Sequence, residues 1–187
     1  MIMDYCEAIN QALRQEMERD PTVFLYGLSV KSHSRVFGTT ANLEQFGSER
    51  FFETPICEET LTGFGLGAAI NGLRPILTHI RIDFLILAMN QLLNMVSTYN
   101  YMTNGKVKVP FVIRAIVGRG WGQGWQHSKS LHSYFAHIPG LKVILPSTPY
   151  DAKGLLISAI RDNNPIIFLE HRWLYWIKGE VPEESYT

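Results

Sequence analysis

Two glutamates, Glu58 and Glu59, stand at the head of "EETLTGFGLGAAINGLRP", a run otherwise built mostly from glycine, alanine and aliphatic residues. A carboxylate pair in that position has two readings. Both side chains can complement the positive end of a helix, a contribution of about 0.3–1 kcal/mol each. Alternatively, one of them faces a buried ligand nitrogen. The small residues Gly63, Gly65, Gly67, Ala68 and Ala69 would let the helix pack closely and leave its first turn on a pocket floor. A carboxylate placed there resists ionisation unless a partner stabilises it, which suits it to proton exchange.

A second stretch able to do chemistry is "GRGWGQGWQHS", which sets His127 beside glycines and two tryptophans. It does not fit G-x-G-x-x-G, and the chain has no G-x-x-x-x-G-K-[ST], so nucleotide binding through those devices is unsupported. The stretch is either a flexible surface loop or a ligand-facing one, and its aromatic content tilts it toward the second. Among the other histidines, His33 reads as a solvated loop residue, and His132 and His137 as parts of a short helix. His79 and His171 fall at strand ends and could serve either way. No His/Cys cluster has the spacing of a zinc site.

The elements that must position these groups alternate between helix and strand. Asp4 with Glu7 three places on forms a capping box, Ile9, Leu13 and Met17 continue at helical spacing, and Asp20-Pro21 ends the helix. "TVFLYGL" reads as a buried strand, followed by a polar loop from Lys31 to about Thr40 and a short helix at Leu43–Phe46. The glutamate-headed helix runs to about Asn71 with Gly72 past its end, and Pro75 opens the next strand. A long helix is expected from about Phe84 to Met102. The strand "VPFVIRAIVG", a short helix near Leu131–His137, the strand "LKVILP", a helix from Pro149 to Arg161 and the strand "PIIFLE" complete the pattern. Apolar strands separated by helices predict an α/β fold, a doubly wound parallel sheet with helices on both faces. Such sheets bind ligands beyond the carboxyl ends of their strands. Residues 1–187 read as one domain, with a polar, irregular tail from about Lys178.

Bulk properties narrow the function. The 187 residues, 46% hydrophobic, suffice for one sizeable core. Lys+Arg and Asp+Glu both number 17, which argues against nucleic acid or a charged membrane surface as partner and leaves room for subunit contacts. Cys6 and Cys57 make no disulfide framework and suit a reducing compartment. No apolar run reaches membrane-spanning length without polar interruption.

The stretches "TPICEETLTGFGLGAAINGLRPI", "QHSKS" and "AHIPGLKVILPSTPYDAKGLLISAIRDNNPIIFLE" resemble the beta subunit of thiamine-diphosphate-dependent 2-oxo-acid dehydrogenases of the pyruvate, branched-chain and acetoin types. The resemblance spans nearly the whole chain and implies a transketolase-type pyrimidine-binding domain. It assigns to Glu58 a hydrogen bond with a ring nitrogen of the cofactor's aminopyrimidine, favouring the imino form that activates the thiazolium carbon. It assigns Phe84 to stacking on the pyrimidine, Ile56 to an apolar contact, and His127 to proton handling or the substrate carboxylate. Glu59 becomes a helix-end or interface charge. A structural potassium ion is implied at positions matching Phe111, Ala159, Ile160, Asp162 and Asn164, although "IRDNNP" reads equally well as a plain helix-ending turn.

Departures from the family pattern are informative. Leu28-Ser29 replaces an acidic pair, and Lys129 follows "HS" where an uncharged residue is usual, so an anionic or phosphorylated substrate and a salt bridge to a neighbour are both open. No Gly-Asp-Gly is present, so the diphosphate and its magnesium are expected on an alpha-type partner subunit, in a homo- or hetero-oligomer. The same resemblance implies a lipoyl acyltransferase as further partner and a cytoplasmic or mitochondrial-matrix setting. The chain stops where family members continue into a carboxyl-terminal domain. The alternatives are a split transketolase-like enzyme that moves a two-carbon unit between sugars, for which Lys129 speaks, and a catalytically inert scaffold.

Overall fold

The computed structural model describes residues 1–187. A short strand, β1 (Ile2–Asp4), leads into α1 (Tyr5–Arg19). The capping box is formed: the Asp4 N–H donates to Glu7 Oε2 at 2.9 Å, and Ile9, Leu13 and Met17 turn a fully buried face inward. β2 (Val23–Gly27) is buried at every position, as a strand covered on both faces must be. Leu43–Phe46 forms a single 3₁₀ turn, and β3 (Phe51–Glu53) follows. Three residues are too few to show a period, which is why β3 has no counterpart in the sequence reading.

The glutamates open α2 (Glu58–Ile70), which delivers the chain to β4 (Arg74–His79). The region from Ile82 to Met102 is not the single long helix expected from the sequence. It comprises α3 (Ile82–Leu85), a 3₁₀ turn, α4 (Met89–Gln91), a π-helical turn at Leu92–Val96, and α5 (Tyr99–Met102). Ser97 and Thr98 spend their hydroxyls on the carbonyls of Leu93 and Asn94, both at 2.9 Å, and the Ser97 N–H reaches back five residues to Leu92. Such back-bonding loosens a helical ladder. β5 (Val112–Val117), α6 (His132–Ala136), β6 (Lys142–Ile144), α7 (Pro149–Arg161) and β7 (Ile166–His171) complete the main body.

The six strands β3-β2-β4-β5-β7-β6 form one sheet, parallel throughout. One face is covered by α1 and α7, whose side chains join Val23, Leu25 and Ile76 in the larger core. The other is covered by α2 and the Ile82–Met102 segment around Tyr26, Leu77 and Phe111. The α/β, doubly wound reading holds. Gly65 shows how closely α2 packs, since a Cβ there would run into the Phe111 ring and the Tyr26 hydroxyl. No helix is long and apolar enough to cross a membrane.

The tail departs from the irregular reading. β8 (Lys178–Glu180) pairs antiparallel with β1, and Lys153 Nζ holds the carbonyls of Pro182, Glu183 and Glu184 at 2.6–3.0 Å. Pairing partners at opposite ends of the chain leave no local signal.

Candidate active site

The chain runs outward from β2 to β3, then crosses back to β4 on the other side of β2. Loops leaving neighbouring strands in opposite directions open a crevice at their carboxyl ends. A cavity of about 310 Å³ lies there. Its lining includes Leu28, just past β2, and Ile56 and Glu58, past β3. His79, Ile80 and Arg81 at the end of β4, Phe84 in α3 and His127 from the loop after β5 complete it. The structure thus brings together the four residues singled out for the pyrimidine and the proton chemistry: Ile56, Glu58, Phe84 and His127.

Glu58 takes this place because Cys57 enters α2 with an extended φ of −162°, turning the first helical residue inward. It is only 7% exposed, and its carbonyl accepts the Thr62 hydroxyl at 2.8 Å, while its side chain lines the cavity. Glu59 points away and accepts a hydrogen bond from Gln91 Nε2 at 2.7 Å, tying α2 to α4. The pair divides into one carboxylate for the cavity and one for the helix packing. Phe84 meets the His127 ring edge-on, with centroids 5.2 Å apart.

The glycine-rich loop is anchored. Trp121 packs against Trp173 and Trp176 at centroid distances of 4.9 and 5.6 Å, and Gln123 Oε1 accepts from both Arg81 Nε and Nη2. Gly118 must lack a side chain, because a Cβ would meet the His127 carbonyl and the Arg81 guanidinium. Lys129 is held at Asp83, whose Oδ1 accepts the Lys129 N–H at 3.1 Å and lies 3.7 Å from its Nζ. Of the two roles open to Lys129, the structure shows the salt bridge. His171 accepts the Trp173 N–H and stays outside the cavity; His132 pairs with the Ser130 hydroxyl.

His79 was left open as a strand-end histidine and proves to line the cavity, whereas Arg81 was not singled out, although its position just past a parallel strand was the available signal. His79 is 1% exposed and neither ring nitrogen has a partner. Burial pushes its pKa down from 6.5 to about 4. The imidazole therefore stays neutral in the fold, while the unfolded chain binds a proton near its ordinary pKa. Its contribution to stability is fully present above about pH 6.5 and declines toward pH 4, by up to about 3 kcal/mol. A denaturant midpoint that falls over this window, and falls much less in His79→Phe, is the expected measurement.

The loop matched to potassium offers hard oxygens that are already engaged. The Ile160 and Asp162 carbonyls accept Arg74 Nη1 at 2.9 Å each, the Phe111 carbonyl accepts the Ile166 N–H, and Asp162 binds Asn164 and Lys142. Each carbonyl retains a second lone pair, but a cation there would share the Ile160 and Asp162 oxygens with the like-charged Arg74 guanidinium.

Residues 2–177 match the family described as "Transketolase, pyrimidine binding domain". The chain is 46% identical over 188 residues to a 2-oxoisovalerate dehydrogenase subunit beta of Bacillus subtilis (strain 168), covering 100% of this chain and 58% of that protein. It is 46% identical to the acetoin:2,6-dichlorophenolindophenol oxidoreductase subunit beta of Cupriavidus necator, over 96% of this chain and 56% of that one. A chloroplastic pyruvate dehydrogenase subunit beta-4 of Oryza sativa subsp. japonica is 44% identical, over 97% and 46%. The chain therefore spans about half the length of these relatives. Among solved structures, a split-gene transketolase described as an inactive beta4 tetramer superposes with a TM-score of 0.73 over 91% of this chain and 51% of that chain, at 20% identity. That likeness speaks to fold alone.

Proposed function

The chain belongs to the family of transketolase pyrimidine-binding domains, and from that premise we propose that it is the cofactor-activating part of a beta subunit of a thiamine-diphosphate-dependent 2-oxo-acid dehydrogenase. The observation that carries this reading is the convergence of Glu58, Phe84, Ile56 and His127 on one cavity at the switch point of the sheet. Thiamine diphosphate, when bound, supplies the electron sink for cleaving a carboxylate from the carbon beside a carbonyl. Glu58 holds the proton shared with a ring nitrogen of the aminopyrimidine. Phe84 offers its ring to the pyrimidine face, and Ile56 excludes water from the apolar side. His127 serves the substrate, orienting its carboxylate or moving a proton.

The chain contains no Gly-Asp-Gly, so the diphosphate and its magnesium are assigned to an alpha-type partner, with the active site at the interface. Ile56, which lines the cavity and is 78% exposed, suits such a covering surface. A lipoyl-bearing acyltransferase is the proposed acceptor, and the two free cysteines suit the cytoplasm or mitochondrial matrix. A potassium ion at Phe111, Ala159, Ile160, Asp162 and Asn164 would brace the turn after α7. The sugar-transferring alternative drew on an unpaired Lys129, and the Asp83 pairing removes that support.

Calorimetry tests the division of labour. The isolated chain is expected to bind thiamine diphosphate weakly and without magnesium dependence, and its complex with a diphosphate-binding subunit at least a hundredfold more tightly. Tight, magnesium-dependent binding by the chain alone overturns the proposal.

A further inference from the structure

Two arginines beside the cavity are buried without a carboxylate partner. Arg81 is 4% and Arg172 6% exposed, and neither takes part in any ion pair of the molecule. Both guanidinium groups lie over the same Phe37 ring, at 5.7 and 4.0 Å from its centroid. Arg172 is boxed in further by Trp121, Tyr175 and Trp176, and its Nε and Nη1 have no acceptor. Arg81 spends its N–H groups on Gln123 and the Ile80 carbonyl, leaving two of the five free, and it lines the cavity. Next to it, His79 presents an imidazole with both nitrogens unpartnered. Burial pulls both arginine pKa values down, and the charge of Arg81 adds to the effect on Arg172.

Two carboxylates are close. Asp83 is engaged by Lys129 through Oδ1, and Glu58 lines the same cavity without forming an ion pair with Arg81. Asp83 Oδ2 has no hydrogen-bond partner, yet neither Asp83 nor Glu58 pairs with Arg81, so the end of β4 presents a guanidinium with unused N–H groups and an imidazole with two unpartnered nitrogens. An isolated buried charge is costly, and a buried donor without an acceptor costs again, so this wall is built to meet an anion.

We propose that Arg81, with His79 as its hydrogen-bonding neighbour, forms a subsite for a carboxylate on the side chain of the substrate, making a 2-oxo diacid the preferred substrate class. The choice of ligand rests on the 2-oxo-acid reading above. The carboxylate next to the keto group leaves as neutral carbon dioxide, so a fixed cation beside it would stabilise the bound acid more than the transition state. A buried arginine gains more from an anion that the reaction leaves unchanged. Arg172, stacked behind on Phe37, adds its field without touching the ligand.

The test uses the full chain and two probes of equal shape, glutarate and its neutral diamide, titrated calorimetrically at pH 7.5. Glutarate is expected to bind at least tenfold more tightly than the diamide. The preference should fall below threefold in Arg81→Met and His79→Phe, and return in part in Arg81→Lys. Gln123→Leu, which frees the loop but keeps the cation, should retain it. Equal binding of the two probes, or a preference that survives Arg81→Met, overturns the subsite. Inorganic diphosphate binding more tightly than glutarate would assign the wall to a phosphate ligand and also overturn it. The cofactor reading fails separately, through cofactor hydrogen–deuterium exchange in the assembled complex that does not slow in Glu58→Gln.

Discussion

Glu58→Gln is expected to lower turnover of the assembled enzyme by about 10²–10⁴-fold, the range for losing a positioned proton-transfer group. The amide is close in size and can still form hydrogen bonds, so folding and subunit assembly should be unaffected. It cannot hold the proton that a carboxylate exchanges with a ring nitrogen. The adjacent Glu59→Gln is the internal control. It alters only the bond from Gln91 between α2 and α4, a change of about 0.5–1.5 kcal/mol in stability with turnover retained. Cofactor hydrogen–deuterium exchange and single-turnover rates should both collapse in the first variant and neither in the second. Turnover within threefold of the parent in Glu58→Gln would remove Glu58 from its role.

The largest stability effect is expected at Glu170. This carboxylate on β7 is fully buried and takes both arms of Arg114 on β5, at 2.6 and 3.0 Å, and the Tyr175 hydroxyl at 2.7 Å. Arg114 is held also by the Thr39 hydroxyl at 2.9 Å. Glu170→Ala leaves a guanidinium with no counter-charge and a phenol with no acceptor. The expected cost is about 3–5 kcal/mol, read as a lower urea midpoint at unchanged slope. The double variant Arg114→Met with Glu170→Leu should recover much of that loss, because it removes the stranded charge along with its partner. A Glu170→Ala protein as stable as the parent would show that the pair adds nothing. Since β5 and β7 carry the glycine-rich loop and the tryptophans that pin it, loosening them should also blur the cavity wall.

Much of the site was legible in the chain itself. The apolar strands, helical spacing and caps specify the doubly wound sheet because they are local patterns with fixed periods, while Glu58, Phe84, Ile56 and His127 as a set were implied by the resemblance of the motifs to a known family. Other features carry no local signal. β1 and β8 pair across almost the whole chain, and β3 is three residues long. The Ile82–Met102 segment keeps a helical composition while its hydroxyls disturb the ladder.

The sequence by itself determined the fold class, because hydrophobic period and end-capping are properties of neighbouring residues. Only the tertiary structure decided that Lys129 is tied to Asp83, and that Glu59 braces α4 while Glu58 faces the cavity. It alone decided that Arg81 and His79 line one cavity, Arg81 outside any ion pair and His79 with both ring nitrogens unpartnered. Charge compensation and hydrogen-bond satisfaction depend on which groups meet across elements far apart in the chain, and residue types alone do not set those distances.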